Sequence, residues 1–302
     1  MRRSPDPTAS TTDAGRGAKH GTASRVWFFA LFLVAVLILW EALKFIGGDP
    51  WRYFGLVWRP PVGIWFASDV NLPHVWSIAA RVFQPLTSGS SESLGSYLFF
   101  QALYTWREAL IGFVAGGILG IALATAFVHF ALVERAFLPY VVASQTIPIV
   151  ALAPMIVFFV GHNISSVVII ATYLSFFPVT ISMLRGLRSP DPRALELMRS
   201  YAASRRAILF KVRFPASVPY LFTAMKITAT ASVVGAIVGE GPGGIQAGLG
   251  RAILFFSQAY SIAPEKLWAA ILFTAALGIF FYGIIRGAEI WVLRGRPEAA
   301  GG

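Results

Sequence analysis

Few side chains in this sequence have the types and spacing that covalent chemistry requires. The 302 residues include no cysteine, which excludes thiolate nucleophiles and cysteine-based metal sites. The phosphate-binding pattern G-x-x-x-x-G-K-[ST], the zinc pattern H-E-x-x-H and the serine-nucleophile pattern G-x-S-x-G are all absent. The sequence therefore predicts a non-catalytic protein with no cofactor or metal of its own. The histidines are scattered, at His20, His74, His129 and His162.

The segment from 185 to 213 carries the densest set of functional groups, including eight lysines and arginines. Asp191 followed by Pro192 is typical of a helix start, and Ser204 is placed to cap a second short helix. The pattern predicts two short amphipathic helices that form an apolar knob with a basic rim. Either a partner protein or the lipid interface would bury such a knob, and both remain open at this point. The apolar residues at helical spacing are Leu195, Leu197, Met198, Tyr201 and Ala202.

A second candidate site is the polar group Gln145, Thr146 and Pro148 inside an apolar run. Because proline removes a backbone donor, it frees a carbonyl that neighbouring polar side chains can satisfy. We interpret this group as a polar kink, which either lines a translocation pathway or packs against another helix.

A third candidate is Glu240, at the end of a later apolar run. It is expected to act as a gate or to touch substrate, with an interfacial carboxylate in water as the alternative. The Gly-Pro-Gly-Gly run that follows it predicts a flexible or re-entrant loop. Lys226, inside the same run, is expected to reach the interface or to form an ion pair.

The composition shows which elements must position these residues. Charged residues make up 13% of the chain, against about 25% in a typical soluble domain, and apolar residues make up 56%. These values exclude a soluble fold and intrinsic disorder for the bulk of the chain. The net charge of +11 is distributed between apolar runs, which indicates orientation in a membrane rather than a nucleic-acid partner.

The predicted fold is an all-α integral membrane protein with about six transmembrane helices. Seventeen of the 25 lysines and arginines fall in segments that are cytoplasmic if the N-terminus is inside. This asymmetry predicts cytoplasmic N- and C-termini and places the 185–213 loop, between the fourth and fifth spans, in the cytoplasm. The predicted spans cover 26–46, 109–133, 136–161, 164–184, 214–239 and 267–285.

The regions outside the spans differ in composition. Residues 1–25 are predicted to be a disordered basic cytoplasmic tail, and 293–302 a second cytoplasmic tail. Residues 47–96 form an external segment rich in tryptophan and proline, which indicates either interfacial elements or a packed external loop. The core of the protein is then 97–292, with five of the six spans.

Three of these segments together resemble the permeases of ABC importers, in the nitrate, sulfonate and taurine branch. The 185–213 loop is similar to their EAA loop, in which Glu-Ala-Ala, three residues, Gly, nine residues, Ile, one residue and Leu-Pro recur. The run 144–154 and the run from Gly239 to Arg251 resemble two further signatures of that branch. The matching positions in the loop are Glu196, Leu197, Met198, Ala202 in place of the glycine, Val212, Phe214 and Pro215.

The resemblance implies a permease subunit in a bacterial inner membrane that transports a small polar or anionic solute. The expected solutes are a sulfonate, nitrate, taurine or a pyrimidine-type vitamin precursor. It also implies a cytoplasmic ABC ATPase that binds ATP and Mg²⁺, an extracytoplasmic solute-binding protein and a second permease copy, usually in a homodimer, within the lipid. The residues that the resemblance assigns to ATPase coupling are Glu196, Leu197, Met198, Ala202, Ser204, Arg205 and Pro215.

Two other functions fit parts of the pattern. A stand-alone secondary carrier or channel predicts transport without an ATPase, with charged or broken helices in the spans. A membrane-bound enzyme predicts a cluster of His, Asp or Glu at one membrane face, and the sequence offers none.

Overall fold

A computed structural model describes residues 14–53, 56–241 and 247–294, and the chain divides into two compact units, Met1–Ala79 and Ala80–Gly302. Apart from one short hairpin, the regular elements of the described residues are helical, so the predicted all-α fold is confirmed. The hairpin strands β1 (Trp51–Tyr53) and β2 (Leu56–Trp58) are antiparallel. The helices are α1 (Ala14–Gly47), α2 (Val75–Val82), α3 (Leu94–His129), α4 (Ala131–Ala143), α5 (Ile149–Val160), α6 (Ile164–Arg188), α7 (Pro192–Ser200), α8 (Arg205–Ile208), α9 (Phe214–Glu240), α10 (Leu249–Gln258) and α11 (Pro264–Leu293).

The first unit is organised around the end of α1. Lys44 is 1% exposed, forms an ion pair with Asp69 and donates a hydrogen bond to the carbonyl of Leu72 at 2.6 Å. His74 contacts Glu41, with 2.8 Å between Nδ1 and Oε2. These contacts tie the segment after α1 back onto its last turns, as in a packed loop.

The first helix starts earlier than the sequence predicts. α1 begins at Ala14, although residues up to 25 were expected to be disordered. Adding residues to an existing helix costs far less than nucleating one, so the helix continues backward from the apolar run. Residues 1–13 and 295–302, which include most of the two predicted tails, lie outside the described residues.

The core of the second unit is the contact between α3 and α6, which depends on glycines. A Cβ added at Gly112 would lie 2.4 Å from Cβ of Ala171, and one at Gly116 would lie 2.4 Å from Cβ of Ser175. The two helices therefore approach as closely as only small residues allow. Because both contacts advance together along the chain, α3 and α6 run parallel.

The helix α9 packs on the same part of α6 in the opposite direction. Gly235 lies against Ala171, while Gly239, one turn later in α9, lies against Val167, one turn earlier in α6. At the other end, Gly186 of α6 packs against Ser217, near the start of α9. The α6–α9 pair is therefore antiparallel, as expected for helices joined by a compact loop.

The third predicted span is not one continuous helix. It divides into α4 and α5, which are bent by 104° at residues 144–148. Pro148 accounts for the break, because it cannot donate to the preceding turn and disfavours a helical conformation of the residue before it. The prediction of one continuous helix over 136–161 was therefore wrong.

The parallel packing of α3 and α6 nevertheless requires the bent pair to return the chain from the end of α3 to the start of α6. α4 and α5 together therefore form one broken span. Within the described residues, five helices are long and apolar enough to cross a membrane, and this pair makes six. The main change from the prediction concerns α3, which starts at Leu94 rather than at 109.

Candidate functional site

The loop between α6 and α9 contains the two short helices that the sequence predicts. The carboxylate of Asp191 caps α7 by accepting a hydrogen bond from the backbone N–H of Arg193 at 2.8 Å. The hydroxyl of Ser204 caps α8 by accepting from the N–H of Ala207 at 3.2 Å. Each cap satisfies a backbone donor that a helix start leaves unpaired, so both predicted helix starts are confirmed.

The turn between α7 and α8 is centred on Ala202. Its φ of +53° is the only positive φ of a non-glycine residue in the described chain. The N–H of Ala203 donates to the carbonyl of Met198 at 3.0 Å, and the N–H of Ala202 donates to that of Arg199 at 2.9 Å. These two bonds form a Schellman motif, in which the left-handed position usually holds glycine.

The outer surface of α7 and α8 presents apolar and charged side chains side by side. Leu197 is 57% exposed and Tyr201, one turn later, is 78% exposed. The remaining loop candidates are exposed except Met198, which is half-buried. These exposed candidates are Glu196, Ala202, Ser204, Arg205 and Pro215.

A basic cleft of about 410 Å³ lies beside this surface, between the end of α3 and the two short helices. Arg199, Arg205 and Arg213 line it together with His129. None of these arginines forms an ion pair with a described carboxylate. The loop therefore combines an apolar knob with a basic rim, as the sequence predicts.

The base of the loop is packed into the helix bundle. Leu209, in a π-helical turn that links α8 to α9, is 7% exposed and belongs to the same buried apolar cluster as Phe127 of α3 and Leu187 of α6. The guanidinium of Arg213 donates to the carbonyl of Leu187 at 3.0 Å. The outer tip is therefore free of the bundle while its base is buried in it.

The bend between α4 and α5 holds the second group of candidates. Gln145, Thr146 and Pro148 are exposed, and the hydroxyl of Thr146 donates to the carbonyl of Ala143 at 2.7 Å. The hydroxyl of Tyr173, in the middle of α6, donates to the carbonyl of Ser144. Backbone carbonyls at the kink thus accept local and interhelical hydrogen bonds. The side chains of Gln145 and Thr146 are exposed.

Glu240 lies in a different environment from the one expected for a carboxylate in water. It is 0% exposed, and its Oε2 accepts a hydrogen bond from the backbone N–H of Gly250 at 2.6 Å. Two side chains of α3 hold the preceding residues: Gln101 accepts from the N–H of Gly248 at 2.5 Å and Thr105 from that of Leu249 at 2.8 Å. Glu240 therefore helps to cap α10. The run 242–246, which includes most of the glycine-rich loop, lies outside the described residues.

The sequence reasoning missed Glu108. Because the second span was expected to start at 109, Glu108 was left outside the apolar core of the helix, yet it lies in the middle of α3 and is 0% exposed. Its carboxyl group lies next to that of Glu240. The available signal was the spacing of Gln101, Thr105 and Glu108, which places three polar groups on one helix face.

The bend and Glu240 are not brought together. The bend is level with Tyr173 of α6, while Gly239 is level with Val167, six residues or about 9 Å further along that helix. Lys226 forms the expected ion pair, at 2.8 Å from Oε1 of Glu289 on α11. The molecule therefore has a polar end at α10, a polar bend at mid-height and an exposed apolar and basic surface at α7.

Comparisons with known proteins agree with this arrangement. The family model described as "binding-protein-dependent transport system inner membrane component" matches residues 116–289. The formylaminopyrimidine transport permease protein ThiX of Halalkalibacterium halodurans is 33% identical over 235 residues, covering 74% of this chain and 92% of the relative.

A second relative extends over nearly the whole chain. The putative aliphatic sulfonates transport permease protein SsuC of Bacillus subtilis is 24% identical over 94% of this chain and 93% of its own length. A solved amino acid ABC transporter chain has a TM-score of 0.54 at 15% identity, covering 65% of this chain and 94% of that one. At this identity, the likeness concerns the fold.

Proposed function

We propose that this chain, which belongs to the family of binding-protein-dependent transport system inner membrane components, works as one subunit of an ATP-driven importer. The chain is the membrane-spanning permease subunit and forms the translocation pathway. As a member of this family it works with an ATPase and a solute-binding protein. The finer assignments below concern the surfaces that meet these partners, the pathway and the solute.

The α7–α8 loop docks on the ATPase. The observation that carries this assignment is the exposed pair Leu197 and Tyr201, at the tip of a loop whose base is buried. An apolar pair one helical turn apart fits a groove in a partner protein. Glu196, Ser204 and Arg205 surround the pair and supply polar contacts at its rim.

The buried base of the loop passes ATPase movement on to the spans. Leu209 belongs to one buried cluster with residues of α3 and α6, and Arg213 is hydrogen-bonded to the end of α6. Closely packed cores move as rigid pieces rather than deforming continuously. A displacement of α7 is therefore transmitted to the helices that border the pathway. ATP and Mg²⁺ belong to the ATPase in this scheme.

Gln145 and Thr146 line the pathway at the bend, since they are polar, exposed and at mid-height in the span. Exposed apolar residues on α4 and α5, such as Phe158 at 81% exposure, are covered by lipid and by a second permease copy. Both termini are cytoplasmic, in agreement with the charge asymmetry.

The proposed solute is a small polar heterocycle such as an aminopyrimidine. The relative that carries that name is 33% identical, against 24% for the sulfonate relative. An aliphatic sulfonate is the second candidate, because that relative is similar over nearly the whole chain. Nitrate and taurine are less favoured members of the same solute group.

The docking assignment is tested by Leu197→Glu, with His162→Glu as the matched control. Both sites are exposed, but His162 lies at the opposite end of the bundle. Loss of a central interface residue costs about 2 kcal/mol or more, so we expect at least a tenfold drop in ATPase recovered with Leu197→Glu. Co-purification from co-expressing membranes and ATP-dependent uptake are the readouts.

The control variant should retain the ATPase. If Leu197→Glu retains it as well and uptake is unchanged, the docking surface is elsewhere. Uptake of a labelled aminopyrimidine, competed by an unlabelled alkanesulfonate, then separates the two solute classes without depending on the docking assignment.

A further inference from the structure

The N-terminus of α10 is held by side chains from two other helices. The backbone N–H groups of Gly248, Leu249 and Gly250 are bound in turn by Gln101, Thr105 and Glu240. A helix start leaves such donors unpaired, and its dipole favours a negative charge beside them. The helix start therefore favours the charged form of Glu240, while the complete burial of the side chain disfavours it.

The close approach depends on glycine. A Cβ at Gly248 would lie 2.2 Å from Cδ of Glu240, and one at Gly250 would lie 2.2 Å from the carbonyl oxygen of Ile237. Gly248 also has a φ of +103°, which other residues rarely adopt. The backbone of α10 can thus reach the carboxylate only with this pattern of glycines.

Glu108 lies one turn after Thr105 on α3, beside the contact of Leu249 and Gly250 with Thr105 and Glu240, so its carboxyl group lies next to that of Glu240. Among the described residues, both carboxyl oxygens of Glu108 and Oε1 of Glu240 are buried without a hydrogen-bond partner. Two ionised carboxylates cannot satisfy each other, because neither has a hydrogen to donate. Burying both charges in contact, without a counter-ion, is strongly unfavourable.

No described cation forms an ion pair with Glu108 or Glu240. Arg107, the residue before Glu108 on α3, is exposed and acts on Glu108 only at longer range, and Arg251 on α10 is half-buried. A single proton resolves the conflict. If Glu108 carries it, its O–H donates to Oε1 of Glu240, which keeps its charge and its bond to Gly250.

We propose that Glu108 and Glu240 form a proton-binding site, a carboxylic acid paired with a carboxylate, which fastens α10 to α3 and α9. Glu108 is the protonated partner, since Glu240 receives the N–H of Gly250 and faces the helix start while Glu108 has neither. The ligand is one proton. This site lies at the end of the bundle opposite α7 and is separate from the docking surface.

Infrared spectroscopy of the purified full-length protein tests whether the Glu108–Glu240 pair holds a proton. The wild type should show the C=O stretch of a buried protonated carboxylic acid at neutral pH, and Glu108→Gln should lack it. Glu92→Gln, in an exposed loop, is the matched control and should leave the band unchanged. Absence of the band in the wild type, or its persistence in Glu108→Gln, overturns the proposal.

Hydrogen exchange of the backbone amides of 248–250, followed by mass spectrometry, tests the fastening. Glu108→Gln keeps a donor toward Glu240 and should retain slow exchange, whereas Glu108→Leu should exchange faster. Loss of a charge-assisted hydrogen bond accelerates exchange about tenfold or more. Faster exchange in Glu108→Gln equal to that in Glu108→Leu contradicts a hydrogen-bonding role.

A bound monovalent cation is the competing outcome. If slow exchange requires added sodium and no carboxylic acid band is seen, the site binds a metal ion, and the proposal of a bound proton is overturned. If Glu108→Gln fails to accumulate, the wild type still decides, because alkaline pH should remove the band and the amide protection together. These measurements need neither ATPase nor solute, so they are independent of the transport proposals.

Discussion

At the scale of single residues, Ala202 is under backbone strain that a glycine would relieve. A left-handed conformation costs an L-residue about 1–2 kcal/mol, and glycine avoids this cost at a smaller entropic penalty. We expect Ala202→Gly to stabilise the α7–α8 turn by about 1 kcal/mol. Trypsin cleavage at the neighbouring Arg199 and Arg205 should slow about fivefold, because cleavage needs local opening.

The control for that experiment is the same substitution inside α7. Ala194→Gly introduces helix-interior flexibility and should speed cleavage, since glycine costs about 1 kcal/mol there. Equal acceleration by both substitutions is incompatible with strain at Ala202.

The buried carboxyl pair shows at the same scale how a residue's role depends on its neighbours. Glu240 at the end of an apolar run looks like a carboxylate in water when only the sequence is considered. Its actual partners are the start of α10 and Glu108, which are distant in sequence from each other. The structure therefore connects Glu240 to the start of α10 rather than to open solvent.

At the scale of elements, the contact between α3 and α6 can be tested at two adjacent glycines, because one is packed against α6 and the other is not. A Cβ at Gly116 would lie 2.4 Å from Cβ of Ser175, while Gly117 has no atom within 4 Å of the corresponding position. Gly116→Ala should destabilise the fold by about 1–3 kcal/mol through overpacking. Gly117→Ala should be neutral or stabilising by up to about 1 kcal/mol, from helix propensity.

Thermal unfolding of both variants in the same detergent, followed by tryptophan fluorescence, measures the difference. Equal midpoints for the two variants are the result that rules out close packing at Gly116. Gly112, Gly116 and Gly120 of α3 therefore pack against α6, whereas Gly117 does not.

At the scale of the whole molecule, the path of the bent pair α4 and α5 determines the topology. If the pair crosses the membrane once, Ala131 at the start of α4 and His162 after α5 lie on opposite sides. The chain has no cysteine, so single variants Ala131→Cys and His162→Cys carry one thiol each. We expect a membrane-impermeant maleimide to label His162→Cys in intact cells and Ala131→Cys only after permeabilisation.

Labelling of both positions from the same side makes α4–α5 a re-entrant loop and removes one span. Labelling of Ala131→Cys alone in intact cells keeps six spans but reverses the proposed orientation of the termini. Either result changes which side of the membrane the α7 surface faces.

The membrane class, the approximate spans and the position and caps of the α7–α8 loop could all be predicted from the sequence alone. These features depend on local quantities, namely the apolar run length, the charge distribution and the capping residues at helix starts. The proline-containing group at 144–148 likewise indicated a kink, because proline acts on its own backbone. The family resemblance rested on the same local patterns.

Three features could not be predicted from the sequence and are seen only in the folded chain. They are the 104° bend, the parallel contact of α3 with α6 and the burial of Glu108 beside Glu240. These depend on which helix faces meet, and the contacts that decide this join residues far apart in the chain, such as Thr105 and Leu249. A helical pattern shows that a face is polar or small but not which partner it packs against. For this reason, the contacts of Gln101, Thr105 and Glu240 with the start of α10 could be identified only in the folded chain.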